Sequence, residues 1–311
     1  MCTLRLMDRR TFLNSTAASA VAFAFRARSQ SADAMFVSLN GSLTRQMAWP
    51  EFARLAARVG YGGADVNLNA ARNEGVDATR KMLAELNIRP GICSLPVRYS
   101  NPDEGVYLED MKQLSNAARF AADIGCPRMM AVLPPSSQTP KAEYRKIIKD
   151  RVTAIGDVLA KANVRLGLEF LGPLHFRTRN PHEFIWRMDE ALEFATECGP
   201  NIGLTLDAWH WHHAGATVAD IFKAGRARIV HVHVSDARQQ APEDVRDNQR
   251  VMPGEGVIDL VTFFQSLQKI GYSDAVSPEP IGRIPPEMSP EDGARLGLDT
   301  TLGVMKRANV L

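Results

Sequence analysis

Cysteine is scarce in this sequence, which excludes a fold held together by disulfides. Only four cysteines occur in 311 residues, and no two of them form a C-x-x-C pair. A disulfide framework in a small secreted domain needs an even set of cysteines at short spacings. Cys2 precedes the predicted mature chain, and we expect the other three cysteines to be buried thiols without a chemical role.

An excess of one sign of charge is also lacking. Lys and Arg together number 37 against 35 Asp and Glu, so the formal net charge is only +2, and part of it lies in the N-terminal leader. A protein that binds nucleic acid through its surface shows Lys and Arg clustered on one face. We therefore expect no nucleic-acid partner. The hydrophobic share of 45% and charged share of 23% are those of an ordinary globular chain.

The N-terminus resembles an export signal. Residues 9–13, Arg-Arg-Thr-Phe-Leu, match a twin-arginine signal, and residues 32–34, Ala-Asp-Ala, offer a cleavage site. The apolar run at 17–25 is too short to span a bilayer, which needs about 20 apolar residues. We predict a signal peptide over 1–34, a periplasmic mature protein and no stable membrane insertion after cleavage. The alternative is an Ala-rich helix on a cytoplasmic protein.

Beyond the leader, short β-like runs alternate with longer helical patterns eight times over residues 35–311. The predicted strands are 35–40, 63–67, 88–95, 128–133, 165–171, 202–207, 229–235 and 275–279. The predicted helices are about 50–59, 77–87, 107–124, 142–163, 181–198, 217–225, 259–270 and 290–307. Such alternation predicts a single-domain α/β protein, a (β/α)8 TIM barrel. A doubly wound sheet is the alternative, but no G-x-G-x-x-G turn follows the first strand.

Local signals support several helix ends. Pro50 and Pro181 stand where a first helical position is expected, and Asn180 could cap the second of these helices. Glycines follow four helices, as C-terminal stops do: Gly60, Gly125, Gly199 and Gly271. One segment, 236–256, is long, polar and without periodicity. Long loops after barrel strands handle substrate in TIM barrels, so this segment is a candidate for that role.

Four late strands each carry one ionisable residue at or near the C-terminal end: Glu169, Asp207, His233 and Glu279. TIM-barrel active sites lie at that end of the barrel. A charged residue in an apolar strand is costly unless it is paired or metal-bound. Any one of them alone could be a rim salt bridge, but four on adjacent strands favour a shared site. Three carboxylates with one imidazole suit Mn²⁺, Mg²⁺ or Co²⁺, with Zn²⁺ left open.

Four segments then carry a resemblance to a known family. They are Leu-Gly-Leu-Glu-Phe (166–170), Gly-Leu-Thr-Leu-Asp-Ala-Trp-His (203–210), His-Val-His-Val-Ser-Asp (231–236) and Pro-Gly-Glu-Gly-Val-Ile-Asp (253–259). Together they resemble the xylose-isomerase-like TIM-barrel superfamily of sugar phosphate isomerases and epimerases. The resemblance covers essentially the whole mature chain and does not single out one substrate.

The resemblance implies roles for named residues. Four would bind one divalent metal ion, Mn²⁺ before the others: Glu169, Asp207, His233 and Glu279. Glu169 and Glu279 would also form the acid/base pair of an epimerase. His210 and Arg250 match residues that contact substrate, although the insertion before Arg250 departs from the epimerases. His175, in the loop after the fifth strand, is a third candidate for substrate contact.

These expectations leave alternatives open on one metal site. The first function is a sugar isomerase or epimerase that removes a proton α to a carbonyl and passes through an enediolate. The second is a periplasmic lyase or hydratase acting on 3-keto-sugars or keto-glycosides with the same residues. A non-catalytic sugar-binding protein is a remote third. The partner in each case is a small sugar or keto-sugar, and a homo-oligomer is compatible with the sequence.

Overall fold

The computed structural model describes residues 34–311. The signal peptide predicted for residues 1–34 therefore lies, apart from Ala34, outside the described part of the chain. Ten strands occur there: β1 Phe36–Leu39, β2 Gly63–Val66, β3 Arg89–Ser94, β4 Arg128–Leu133, β5 Ser136–Ser137, β6 Arg165–Phe170, β7 His182–Glu183, β8 Ile202–Asp207, β9 Ile229–Val234 and β10 Ala275–Pro278.

Eight of these strands close into one parallel barrel. Their order around the barrel is β1-β10-β9-β8-β6-β4-β3-β2, so strands that follow one another in sequence are neighbours throughout once the short β5 and β7 are set aside. Every side chain of β8 and of β9 is buried, as expected for parallel strands covered on both faces. The predicted (β/α)8 TIM barrel is confirmed.

Eleven α-helices lie in the described residues, the longer ones outside the barrel. They are α1 Trp49–Val59, α2 Leu68–Glu74, α3 Val76–Glu85, α4 Glu104–Asp123, α5 Lys141–Ala160, α6 Leu174–Arg177, α7 Met188–Cys198, α8 Ala208–His213, α9 Val218–Arg228, α10 Leu260–Lys269 and α11 Pro290–Arg307. Helix α1 shows why they pack: Trp49, Phe52, Ala56 and Val59 form one buried stripe. None of the helices in this range is both long and apolar enough to cross a membrane.

The helix predicted to begin at Pro181 starts later, and this prediction was wrong. His182–Glu183 instead forms β7, which pairs antiparallel with β5, and α7 begins at Met188. Asn180 does not cap a helix, because its amide donates to the hydroxyl of Ser136 at 3.0 Å. The backbone N–H of Phe184 likewise donates to the carbonyl of Pro135. Partners from a distant loop thus satisfy the backbone groups that a helix would have used.

The two ends of the barrel differ in their chemistry. At the N-terminal end, Asp274 accepts a hydrogen bond from Arg128 at 2.6 Å and forms an ion pair with Arg226, and Arg128 also donates to the carbonyl of Gly91. Charged networks at this end of a TIM barrel contribute to stability rather than to catalysis. The ionisable residues singled out in the sequence lie at the opposite, C-terminal end.

Candidate active site

The barrel brings the four predicted metal ligands together. Glu169 is the fifth residue of β6, Asp207 ends β8, His233 is the fifth residue of β9, and Glu279 directly follows β10. One ligand atom from each residue lies within 4.8 Å of the others. A metal ion bound at roughly 2.0–2.2 Å by nitrogen and carboxylate ligands spans such distances. The donor set therefore fits one divalent cation.

His233 is the centre of this cluster. Its Nδ1 lies 2.7 Å from Oε1 of Glu169 and 3.5 Å from Oε2 of Glu279. Burial of the ring opposes protonation, but the two carboxylates outweigh it and raise the pKa of His233 to about 10. In the protein alone the imidazole is thus protonated at neutral pH. A metal ion bound at Nδ1 would have to displace that proton.

Asp207 is fully buried and bonded through both oxygens. Its Oδ1 accepts from the backbone N–H of Trp209 at 2.7 Å, and its Oδ2 accepts from Nη1 of Arg250 at 2.7 Å. Burial alone would raise the pKa of Asp207, but the positive charge of Arg250 and the neighbouring His210 leave it lowered to about 2. This carboxylate is therefore ionised at every pH at which the barrel would work.

Arg250 is the basic residue of the site, and its side chain is only 2% exposed. Its guanidinium reaches Asp207, lies 3.2 Å from Oε2 of Glu279 and is anchored by Asp247 at 2.7 Å. The same group lies over the ring of Trp209, 4.6 Å from its centroid. Burial opposes the charged form, but the carboxylates raise the pKa of Arg250, so its charge is fixed.

His210 packs against that guanidinium as a neutral ring. Burial lowers the pKa of His210 to about 3, and its Nε2 lies 3.1 Å from Nη2 of Arg250, which places the N–H of Arg250 as the donor. Its Nδ1 is buried without a hydrogen-bond partner among the described residues. A buried polar group without a partner is costly, so this nitrogen is a candidate for a hydrogen bond to a bound molecule.

Glu279 carries the most perturbed carboxyl of the site. Burial raises the pKa of Glu279 to about 7, against the opposing charges of His233 and Arg250. A carboxyl that titrates near neutral pH can both take up and give back a proton under physiological conditions. Its side chain is 18% exposed, more than those of Glu169, His233 and Asp207, so it is the predicted ligand most open to a bound molecule.

The loop 236–256 delivers Arg250 because Asp236 closes its base. Asp236 pairs with Val251 through two backbone hydrogen bonds, and its carboxylate accepts from the backbone N–H groups of Gly254 and Ile258. Gly256 is required there, since a Cβ would lie 2.2 Å from the carbonyl oxygen of Ala237. From the sequence, Asp236 was recognised only as the residue that follows the predicted strand 229–235. Its position at the start of a long polar loop was the available signal.

His175 is not brought into the ligand cluster. It lies on the short helix α6, with its ring 4.1 Å from that of Phe176 by centroid distance. Burial lowers the pKa of His175, and the charged groups that act on it are Asp247 and Arg246 of the 236–256 loop. The structure thus places His175 beside that loop, where contact with substrate stays a prediction.

Asp65 is a site residue that the sequence reasoning missed. It lies on β2, and its carboxylate accepts hydrogen bonds from Ser38, Asn40 and Ser277. Burial raises the pKa of Asp65, while the charge of His233 and these hydrogen bonds oppose the rise. The sequence pattern that could have identified Asp65 is the one used for the late strands, an acidic residue near the end of an apolar barrel strand. Asp65 was missed because it lies on an early strand.

A cavity of about 310 Å³ opens beside the cluster. His233 and Glu279 form one side of it, and Trp49, Phe52, Ile92 and Met130 supply apolar surface. Its polar lining includes Asn40, Asp65, Asn67 and Ser94. A pocket with convergent polar groups against an apolar wall is suited to a small organic ligand.

Comparison with known proteins agrees with this fold. An inosose isomerase of Halalkalibacterium halodurans is 26% identical over 238 residues, which are 76% of this chain and 82% of that protein. A xylose isomerase domain protein from Alicyclobacillus acidocaldarius superposes with a TM-score of 0.82 at 28% identity, covering 89% of this chain and all of that one. The IOLI protein, whose crystal structure contains a zinc atom, superposes with a TM-score of 0.74 at 23% identity, covering 88% and 99%.

The family model described as xylose isomerase-like TIM barrel matches residues 53–302, and these residues contain all four residues of the ligand cluster and the whole 236–256 loop. The relatives of the chain include sugar isomerases, of which the inosose isomerase is one. Because the family model matches far more than half of the sequence, the chain belongs to the xylose isomerase-like TIM barrel family.

Proposed function

We propose that this protein is a metal-dependent isomerase or epimerase of an unphosphorylated sugar, exported to the periplasm. The observation that carries the proposal is the convergence of Glu169, Asp207, His233 and Glu279, with ligand atoms within 4.8 Å, beside a cavity open to small molecules. The similarity to an inosose isomerase supports sugar isomerisation. The zinc atom in the IOLI crystal structure supports a divalent metal, with Mn²⁺ our first choice.

The chemistry needs a proton to leave the carbon next to a carbonyl. When bound, a divalent cation would polarise that carbonyl and stabilise the negative charge of the enediolate. Glu169 and Glu279 are the two groups that can move the proton, because each is a carboxylate at the edge of the same cluster. A base on one face and an acid on the other invert the carbon, whereas return to the neighbouring carbon isomerises the sugar.

Arg250 and His210 are proposed to orient the substrate. The buried guanidinium of Arg250 can donate to a substrate oxygen while it stays bonded to Asp207 and Asp247. His210, held neutral, offers Nδ1 to a hydroxyl. Fixed donors aimed at a developing oxyanion stabilise it without reorganisation in the transition state. His175 would contribute only if the substrate reaches the 236–256 loop.

The test is proton NMR in D₂O. The Mn²⁺-loaded enzyme is incubated with free ketoses and with 3-keto-glucosides, and the metal is removed before spectra are recorded. We expect deuterium at a carbon α to the carbonyl together with a new epimer or isomer. Glu279→Gln should slow deuterium incorporation by about 100-fold or more, as for loss of a catalytic acid/base. Glu197→Gln, a surface variant on α7, is the matched control.

The same experiment separates the lyase or hydratase alternative. That function predicts loss or gain of water, or release of the aglycone, from the 3-keto-glucoside while free ketoses remain unlabelled. Absence of exchange and of any product with every substrate would reject both enzymatic functions. The non-catalytic sugar-binding protein would then be the remaining candidate.

A further inference from the structure

Asp65 has no part in the metal cluster, yet it faces the same cavity. It is half-buried at the end of β2, opposite His233 and Glu279, which also line that cavity. Its Oδ1 accepts from the hydroxyls of Ser38 at 2.7 Å and Ser277 at 2.8 Å. Its Oδ2 accepts only from the amide of Asn40, at 3.0 Å. A carboxylate offers about four acceptor positions, so one on Oδ2 is left.

The position of this carboxylate is fixed by its surroundings. Gly91 on the adjacent strand β3 admits it, since a Cβ at that position would lie 2.2 Å from both Oδ1 of Asp65 and the hydroxyl of Ser38. The three donors come from the β1 and β10 sides of Asp65. Its hydrogen bonds and close neighbours therefore fix the carboxylate of a residue that lines the cavity.

Ligand atoms of Asp65 and His233 are close enough for both to reach one oxygen atom. A carboxylate oxygen of Asp65, a nitrogen of His233 and a nitrogen of His231 all lie within 4.8 Å of one another. In the described part of the chain no hydrogen bond joins the Asp65 carboxylate to His233. A hydroxyl with hydrogen bonds of about 2.7–2.9 Å on each side would bridge a gap of this size.

We propose that Asp65 binds substrate: its Oδ2 accepts a hydrogen bond from a sugar hydroxyl in the cavity beside His233 and Glu279, and it thereby selects an uncharged sugar at that position. A phosphate there would face a fixed carboxylate and be repelled. This inference rests on the proposed function, because it takes the substrate to be a polyhydroxylated carbonyl compound held at the neighbouring cluster.

The test compares Asp65→Asn with wild type on D-fructose, D-tagatose and their monodeoxy derivatives. The amide keeps one acceptor oxygen for the two serine hydroxyls and loses the other. We expect KM to rise about 10-fold or more, the loss typical of a hydrogen bond to a charged group, with kcat changed by less than about threefold. For one deoxy derivative, KM with the wild-type enzyme should already be about 10-fold higher than KM for the parent sugar, and Asp65→Asn should not raise it further.

The matched control is Asp110→Asn, because Asp110 on α4 also accepts three hydrogen bonds, all from Arg98, but lies away from the cavity. It should leave KM and the deoxy pattern unchanged. If Asp65→Asn instead slows all derivatives by the same factor, Asp65 has only a structural role and the proposal is wrong. Two metal ions per wild-type chain, falling to one in the variant, would also overturn it and assign a second cation site to Asp65 and His231.

Binding of xylitol, a polyol that cannot enolise, separates this inference from the proposed function. Titration calorimetry on the Mn²⁺-loaded protein should show xylitol binding that weakens about 10-fold in Asp65→Asn. That result would keep the role of Asp65 even if no ketose were converted. Equal affinity in both proteins, or no binding to either, would reject the role of Asp65 whatever the outcome of the NMR assay.

Discussion

Arg250 and His233 are buried basic side chains of the site, and each lies next to carboxylates that compensate its positive charge. Arg250 is bonded to Asp207 and Asp247, and His233 lies between Glu169 and Glu279. Each buried positive group thus has at least two buried or half-buried negative partners. Removal of one partner from such a pair leaves the other charge buried without compensation, which costs more than the pair contributes. For each substitution in the cluster, both metal content and folding must therefore be measured.

His233→Ala should abolish metal retention while the barrel remains folded. A change in an outer-shell partner already lowers metal affinity by about 10–100-fold, and loss of the ligand itself should exceed that range. Elemental analysis after dialysis measures the effect, and circular dichroism reports the fold. His182→Ala, on the surface strand β7, is the control. Stoichiometric metal in the His233 variant would show that the ligand assignment is wrong.

Because of the buried His231, we predict that the free energy of unfolding depends on pH. It is fully buried, neither ring nitrogen has a partner among the described residues, and burial lowers its pKa well below the ordinary value of 6.5. The unfolded chain therefore takes up a proton at pH values where the folded chain does not. This contribution to stability is present above pH 6.5 and is lost as the pH falls below it, by about 1.4 kcal/mol per pH unit.

His231→Phe should remove that contribution without loss of a hydrogen bond. Chemical denaturation of both proteins between pH 7.5 and pH 5, with free energies of unfolding compared, measures it. We expect the free energy of unfolding to decrease less with falling pH in the variant than in the wild type, and to be similar in both proteins at pH 7.5. Parallel curves for the two proteins would mean that His231 is protonated in the folded state.

At the scale of elements, the βα loops decide what the strand ends can do. The ends of the barrel strands supply the four predicted ligands, but Arg250 comes from the 236–256 loop and His210 from the short helix α8 after β8. Asp207 is also the N-cap of α8, so one residue links a strand end, a helix start and a loop arginine. Rigid strand ends with adaptable loops explain how one barrel supports several chemistries.

Asp236→Asn tests the role of the loop base. The carboxylate accepts through both oxygens, and an amide has only one acceptor oxygen, so a backbone N–H would lose its partner at a cost of about 1–3 kcal/mol. We expect faster hydrogen exchange in 247–254 and lower kcat/KM with metal content unchanged. Asp259→Asn, the same substitution at the N-cap of α10 next to the loop, is the control, because asparagine keeps an acceptor oxygen for the cap. Unchanged exchange in 247–254 would show that Asp236 does not hold the loop.

At the scale of the whole molecule, the barrel and the predicted leader have separate roles. The described residues contain one closed barrel with its site at one end. The predicted leader would concern only the destination of the protein, because twin-arginine signals are recognised by the export machinery.

Replacement of both Arg9 and Arg10 by Lys should retain the protein in the cytoplasm. Twin-arginine recognition reads the guanidinium pair, and lysine is not equivalent to arginine at such positions. Cell fractionation with immunodetection of the wild type and of the double variant measures the distribution. Arg26→Lys, in the same leader but outside the motif, should be exported normally. Equal distribution of the double variant and wild type would reject this export route.

The sequence alone predicted the barrel, its eight strands and the convergence of Glu169, Asp207, His233 and Glu279. These follow from local periodicity and from one geometric rule, that parallel barrel strands all end at the same rim. A charged residue near the end of an apolar strand was therefore enough to place each ligand without knowledge of any side-chain contact.

The tertiary structure alone decided the contacts between residues far apart in the chain. Asp65 accepts from Ser277, which is 212 residues away, and Arg250 reaches Asp207 across 43 residues. The same holds for the error at Pro181, where pairing with residues 135–137 replaced a helical turn. Periodicity in the sequence indicates which side chains of a segment are buried and which are exposed. Which donor lies next to which acceptor is determined by closure of the barrel, and this depends on the whole chain.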